Sequence, residues 1–172
     1  MTTPPLRRLV LLRHAKAEHP DGVDDHERAL ALPGRRQAAR VGAAMAAAGV
    51  VPDLVLCSSS LRTRQTWELV RGGLPVEPAV EFRGEVYEAG ASSLVEIVRA
   101  VPDEVRTLLV VGHEPTMSHA AELLAGPGSE EAAYLRVQVG VPTASWSVLE
   151  AEVPWAQWAP SEAVLVGLHT PG

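Results

Sequence analysis

Short apolar runs alternate along the chain with segments of helical spacing. Leu9 to Leu12 form the first run, and its unbroken apolar character predicts a strand covered on both faces. Arg13 and His14 follow at once, so a charged pair stands at the strand's end. Between Gly34 and Gly49, Ala38, Val41, Met45 and Ala48 recur at spacings of three and four in an alanine-rich stretch. That pattern predicts an amphipathic helix closed by Gly49. After Pro52-Asp53, Leu54-Val55-Leu56 gives a second buried strand. The serines Ser58-Ser59-Ser60 can then cap a helix from about Leu61 to Val70, with Arg62 in its first turn.

Gly72, Gly73, Pro75 and Pro78 interrupt the chain before an extended segment over Val80 to Tyr87 and a helix over Ser92 to Ala100. Leu108 to Val111 is the third apolar run; it ends in Gly112-His113, and a helix is predicted from Thr116 through Leu124. Alternating patterns at Tyr134 to Val139, Ser145 to Glu150 and Ala163 to Leu168 predict further strands, some of them antiparallel. Strands alternating with helices imply an α/β fold, a three-layer α/β/α sandwich whose central sheet is mostly parallel. Ligands of such sheets bind beyond the carboxyl ends of the strands. Arg13-His14, Ser58 with Arg62, and Gly112-His113 would therefore meet in one pocket if their strands are neighbours.

Length and composition narrow the reading. At 172 residues the chain is expected to form a single domain over residues 1–172, and its 47% hydrophobic and 21% charged residues suit a folded globular protein. A net charge of −6 argues against a general nucleic-acid or anionic-membrane surface, so an anion site must be built locally. Trp146, Trp155 and Trp158 do not interleave with basic residues as a single-strand-binding platform would, and they are expected to pack against the body of the domain or line its rim. Cys57 stands alone at the end of an apolar run, which predicts a buried thiol and a reducing compartment. Arg7-Arg8 before an apolar stretch suggests an export signal, but Arg13, His14 and Lys16 cut it short. The expected location is the cytoplasm.

The chemistry follows from residue types. A phosphoryl group spreads negative charge over its non-bridging oxygens, and the guanidinium fork matches those oxygens with paired donors. Arg13 and Arg62 together suggest such an anion. A neutral imidazole is a nucleophile, and flanking cations resist its protonation, a role that fits His14. A second, protonated histidine can stabilise transition-state charge without a metal, which fits His113. His113, Glu114 and His119 lack zinc-protease spacing, so neither a metal nor another cofactor is expected. Ser58 is read as a helix cap, Arg64 as the partner of Glu68, and Asp24, Asp25, Glu27 and Arg28 as a solvated loop. His19, His26, His119 and His169 have no comparable context and are read as structural.

Leu12-Arg13-His14-Ala15, then Ser58 to Thr66 with Arg62, then Gly112-His113 resemble, in order, the motifs of the histidine phosphatase, or phosphoglycerate mutase-like, superfamily. Arg13-His14-Ala15-Lys16-Ala17-Glu18 and the Asp25-His26-Glu27-Arg28 stretch are similar to the SixA branch of phosphohistidine phosphatases; the likeness covers Arg8 to about Gly126. The resemblance implies a covalent phosphohistidine on His14, with Arg13, Arg62 and His113 binding the phosphoryl group, and it suggests that Arg28 orients the loop near the pocket. Relatives that cleave phosphate esters also carry a carboxylic acid for the leaving oxygen. Glu88 is the preferred position for it and Glu114 the alternative, while a phosphoramidate needs less help. Glu114 departs from the asparagine common after the second histidine in the SixA branch. The expected partner is a phosphorylated protein, with a small phosphorylated metabolite or a phosphate-sensing role without turnover as the alternatives. The short stretch between Arg62 and His113 leaves little room for a lid.

Overall fold

The computed structural model describes residues 5–171; residues 1–4 and 172, included in the expected single domain, lie outside the described residues. Strands β1 (Arg7–Arg13), β2 (Leu54–Ser58), β3 (Ala79–Arg83), β4 (Thr107–Gly112), β5 (Trp146–Ala151) and β6 (Val164–His169) form one sheet in the order β3-β2-β4-β1-β5-β6. The pairs β1–β4, β2–β4 and β2–β3 are parallel, whereas β5 runs antiparallel to both of its neighbours. The sheet is thus mostly parallel, as the alternation of elements requires.

Two apolar layers cover it, and the two-residue period of the strands decides which residue joins which layer. Leu9, Leu11, Leu56, Leu108 and Val110 face one side, where α3 (Gly84–Glu88), α4 (Ala91–Arg99), α5 (Thr116–Leu124) and α6 (Glu131–Val139) contribute Val86, Leu94, Met117 and Val137. Val10, Leu12, Val55, Cys57, Leu109 and Val111 face the other side, against Val41 and Met45 of α1 (Leu32–Ala47) and Trp67 and Val70 of α2 (Leu61–Arg71). Continuous apolar runs are what strands buried on both faces demand. The tryptophans divide between the layers: Trp155 and Trp158 pack on the first and Trp146 on the second.

Two segments differ from their sequence pattern. Tyr134 to Val139, read as a strand, lies in helix α6. Its buried residues Ala133 and Val137 are four apart, a spacing that shares one face in a strand and in a helix alike, so a short alternation does not separate them. Of the other apolar positions, Leu135 and Val139 point outward, 56% and 83% exposed, and Tyr134 is partly buried against the first layer. The extended segment over Val80 to Tyr87 ends at Arg83, and the chain then turns through α3, which buries Val86. Helix α1 begins earlier than Gly34, with Pro33 in its first turn, where a missing N–H costs nothing.

Register brings the candidate residues level. Arg13 pairs with Gly112, and Cys57 pairs with Val111 across the β2–β4 ladder, so the carboxyl ends of β1, β4 and β2 lie side by side. On the α1–α2 face, a Cβ on Gly42 would sit 2.0 Å from the Val70 carbonyl oxygen and 3.0 Å from the Gly73 Cα, so the two helices touch backbone to backbone. Gly42→Ala tests this contact with opposing signs. Helix propensity alone would raise stability by about 1 kcal/mol. The backbone collision predicts a loss of about 1–3 kcal/mol in urea unfolding.

Candidate active site

The backbone around His14 is fixed from several sides. Its N–H donates to the Gly112 carbonyl at 3.0 Å, its carbonyl accepts from the Ala144 N–H at 3.1 Å, and the Ala15 N–H donates to Thr66 Oγ1 of α2 at 3.0 Å. Arg13 is tied to the β5 side, where its N–H meets the Ser145 carbonyl at 3.0 Å. Arg62 is the second residue of α2, whose N-cap is Ser60, accepting from the Thr63 N–H. The capping role read for Ser58 thus belongs to Ser60. Ser58 Oγ instead meets Nε2 of His113 at 2.7 Å.

His14 is 8% exposed, and its Nδ1 lies 2.7 Å from the Ala15 carbonyl oxygen. A carbonyl can only accept, so Nδ1 carries the proton, and in the neutral ring Nε2 holds a free lone pair. Burial is the main force pushing the His14 pKa down from 6.5 to about 3; the bond to Ala15 opposes it, and His113, Arg62 and Arg13 add to the depression. The His14 and His113 ring centroids are 5.4 Å apart.

Arg62 is 5% exposed and joins His113 to a third group. Its Nη2 lies 3.3 Å from His113 Nδ1 and donates to Asp25 Oδ2 at 3.0 Å, while Nη1 donates to the Asp25 carbonyl at 2.7 Å. An arginine can only donate, so His113 accepts at Nδ1 and donates from Nε2 to Ser58. The protonated His113 expected from sequence is therefore neutral in the free site: burial first, and the Arg62 charge second, lower its pKa to about 4, against a partial upward pull from Asp25. Arg13 donates from Nη1 to the Val141 carbonyl at 2.7 Å. The Nε atoms of both Arg13 and Arg62 are buried without a hydrogen-bond partner among the described residues.

The fold thus brings His14, Arg62 and His113 into one cluster, with the Arg13 charge acting on His14. The two candidate acids lie differently. Glu88 is exposed at the end of α3. The Glu114 carboxylate accepts from the Ser118 N–H and hydroxyl, both at 2.8 Å, and from the Val141 N–H at 3.1 Å. It therefore ties down the first turn of α5 through Ser118 and steadies the segment whose carbonyl holds Arg13.

Sequence reasoning passed over Asp25 and Tyr87. Asp25 accepts from Arg62, from Arg28 Nε at 3.1 Å and from the Tyr87 hydroxyl at 2.6 Å. The Tyr87 bond, with those of Arg62 and Arg28, holds the Asp25 carboxyl well below the usual carboxylate range. The three-residue spacing of Asp25 and Arg28 was the available signal, because one turn of 3-10 helix places such residues together. His26, read as structural, meets Ser59 Oγ at 2.8 Å and stacks edge-on against Tyr87.

Comparison with known proteins identifies the family. The sequence pattern of the histidine phosphatase superfamily (branch 1) matches residues 9–88. An uncharacterized protein of Mycobacterium tuberculosis (strain H37Rv) is 40% identical over 161 residues, spanning 93% of this chain and 99% of its own. A protein of Nakamurella multipartitia, provisionally assigned as the phosphohistidine phosphatase SixA, superposes with a TM-score of 0.83 at 32% identity over 98% of each chain. A similarly assigned SixA from Agrobacterium tumefaciens gives 0.80 at 28% identity, covering 97% of this chain and 99% of its own. The chain belongs to the histidine phosphatase superfamily. Within it the protein is of the SixA type, a phosphatase.

The depressed imidazoles link stability to pH. Between the ordinary value of 6.5 and the folded values of about 3 and about 4, the unfolded chain binds protons that the folded chain does not. Stability therefore rises with pH through this window and is lost as pH falls below 6.5. Thermal melts of the free enzyme should show a lower Tm at pH 5 than at pH 7, with a shallower dependence in His14→Asn; an unchanged slope in that variant would contradict the depressed His14.

Proposed function

We propose that the protein is a metal-independent phosphohistidine phosphatase that passes the phosphoryl group through Nε2 of His14. The observation that carries this reading is the neutral, buried His14 with its Nδ1 proton on the Ala15 carbonyl, which leaves one lone pair available for in-line attack. Arg13 and Arg62, each with a buried Nε–H unclaimed by the protein, bind the phosphoryl oxygens, and His113 completes the set. The arriving dianion favours the protonated imidazole, so His113 gains its proton on binding rather than before it. In the first step the Nε2–P bond forms as the bond from phosphorus to the leaving group breaks. In the second, water attacks phosphorus, Nε2–P breaks and inorganic phosphate leaves.

The state of the nearby carboxylates supports phosphohistidine as the substrate. Asp25 is held as an anion by its donors, and Glu114 accepts three hydrogen bonds, so neither is poised to protonate a leaving oxygen. A phosphoramidate nitrogen can enter already protonated and leave without that help. The relatives from Nakamurella and Agrobacterium carry the same assignment. We assign the protein to a single cytoplasmic domain, in keeping with a buried Cys57 whose pKa burial pushes up to about 12. Among the described residues no helix is long and apolar enough to cross a membrane.

Phosphohistidine peptide hydrolysis should exceed that of sugar phosphates and nucleotides, and His14→Ala should reduce it to the uncatalysed rate. Preferential turnover of a small phosphomonoester would overturn the substrate assignment. Glu88, exposed beside Tyr87 at the end of α3 and outside the hydrogen bonds that hold Asp25 and Glu114, is the donor proposed for the slower turnover of ester substrates. Glu88→Gln should lower ester turnover by about a hundredfold while leaving phosphohistidine turnover within about twofold.

A further inference from the structure

We propose that Asp25 is a positioning residue for Arg62, holding one fork of the guanidinium so that the adjacent fork faces the phosphoryl group. The inference rests on the phosphoryl-binding role of Arg62 proposed above. Arg62 is buried, and a long side chain keeps one orientation only if its donors are fixed. Asp25 fixes two of them at once, Nη1 through its backbone carbonyl at 2.7 Å and Nη2 through Oδ2 at 3.0 Å.

What Asp25 leaves free matters as much. The guanidinium has five N–H bonds. With the Nη1–Nη2 edge on Asp25, the neighbouring edge is made of Nε and the second hydrogen of Nη2. Nε is buried with no protein acceptor among the described residues, and Nη2 also reaches His113 Nδ1 at 3.3 Å. In the free site the Nη2 end of this edge rests on His113 Nδ1; once that nitrogen takes up a proton on substrate binding, as proposed above, the whole edge becomes the paired donor that a phosphoryl group requires.

Asp25 is itself held in place. The Tyr87 hydroxyl donates to Oδ2 at 2.6 Å and Arg28 Nε to Oδ1 at 3.1 Å, while Arg28 Nη1 is anchored on the Glu18 carbonyl at 2.9 Å. Tyr87 in turn lies edge-on to His113, with centroids 5.4 Å apart. The Asp25 side chain is 54% exposed, so solvent screens its charge, and its action on Arg62 is chiefly geometric.

The test is a cycle of variants assayed on a phosphohistidine peptide, with p-nitrophenyl phosphate as a second substrate. Asp25→Ala should lower kcat/KM by about ten- to a hundredfold. Asp25→Asn, which keeps an oxygen acceptor for Nη2, should restore most of the loss. In an Arg62→Ala background, Asp25→Ala should cost nothing further, because the group it positions is gone. A structural loop role would instead add its full effect in that background, and that result, or a kcat/KM for Asp25→Ala within twofold of wild type, overturns the inference. Full activity in Arg62→Ala alone would overturn the binding role of Arg62 and this inference with it. Loss in Arg62→Ala without loss in Asp25→Ala overturns the clamp alone.

Discussion

The hydrogen bond from His14 Nδ1 to the carbonyl of its own neighbour, Ala15, decides what the surrounding groups can do. It selects one tautomer and turns the ring so that the opposite nitrogen carries the lone pair. The carbonyl that accepts this proton belongs to a residue whose N–H is tied to Thr66 on α2, so the orientation of the ring is set by the packing of β1 against that helix. In the proposed mechanism a nucleophile held this way does not reorganise when substrate arrives. The strand ends supply a rigid platform, and the register of β1, β4 and β2 brings the two imidazoles and Arg62 to one level.

The same arrangement has a cost. Two histidines are buried next to arginines, and burial alone disfavours their charged forms. Neutrality of both rings is the consequence, and it turns an electrostatic burden into a supply of lone pairs. The protein as a whole carries a net charge of −6, yet its site gathers guanidinium groups. Carboxylates close by keep those groups in place. Asp25 meets Arg62 directly, and Glu114 reaches Arg13 through Val141, whose N–H and carbonyl serve one partner each. Both carboxylates are thereby committed, which is in keeping with the proposed substrate, whose leaving group needs no donated proton.

Much of this was legible in the sequence because it depends on local pattern. Apolar runs ending in Arg13-His14, at Ser58 and in Gly112-His113 announce strands buried on both faces with polar residues at their carboxyl ends, and the sheet follows that pattern. The histidine phosphatase motifs lie on those ends. What was not legible depends on pairs far apart in the chain. Asp25 reads as a solvated loop residue because its carboxylate is half exposed, and its importance appears only when Arg62, 37 residues later, folds against it. The bond that commits Glu114 to Val141 spans 27 residues. The protonation of His113 could not be read from its type, since burial and the neighbouring Arg62 set it. Helix α6 was read as a strand because Leu135, Val137 and Val139 alternate with polar residues over so short a stretch, although of the three only Val137 is buried.

Enzyme mixed rapidly with phosphohistidine peptide, quenched at alkaline pH where a phosphoramidate survives, and mapped by peptide mass spectrometry and phosphorus NMR should carry phosphate on Nε2 of His14. Phosphate on Nδ1, on another residue, or no phosphoenzyme at all during active turnover would contradict it.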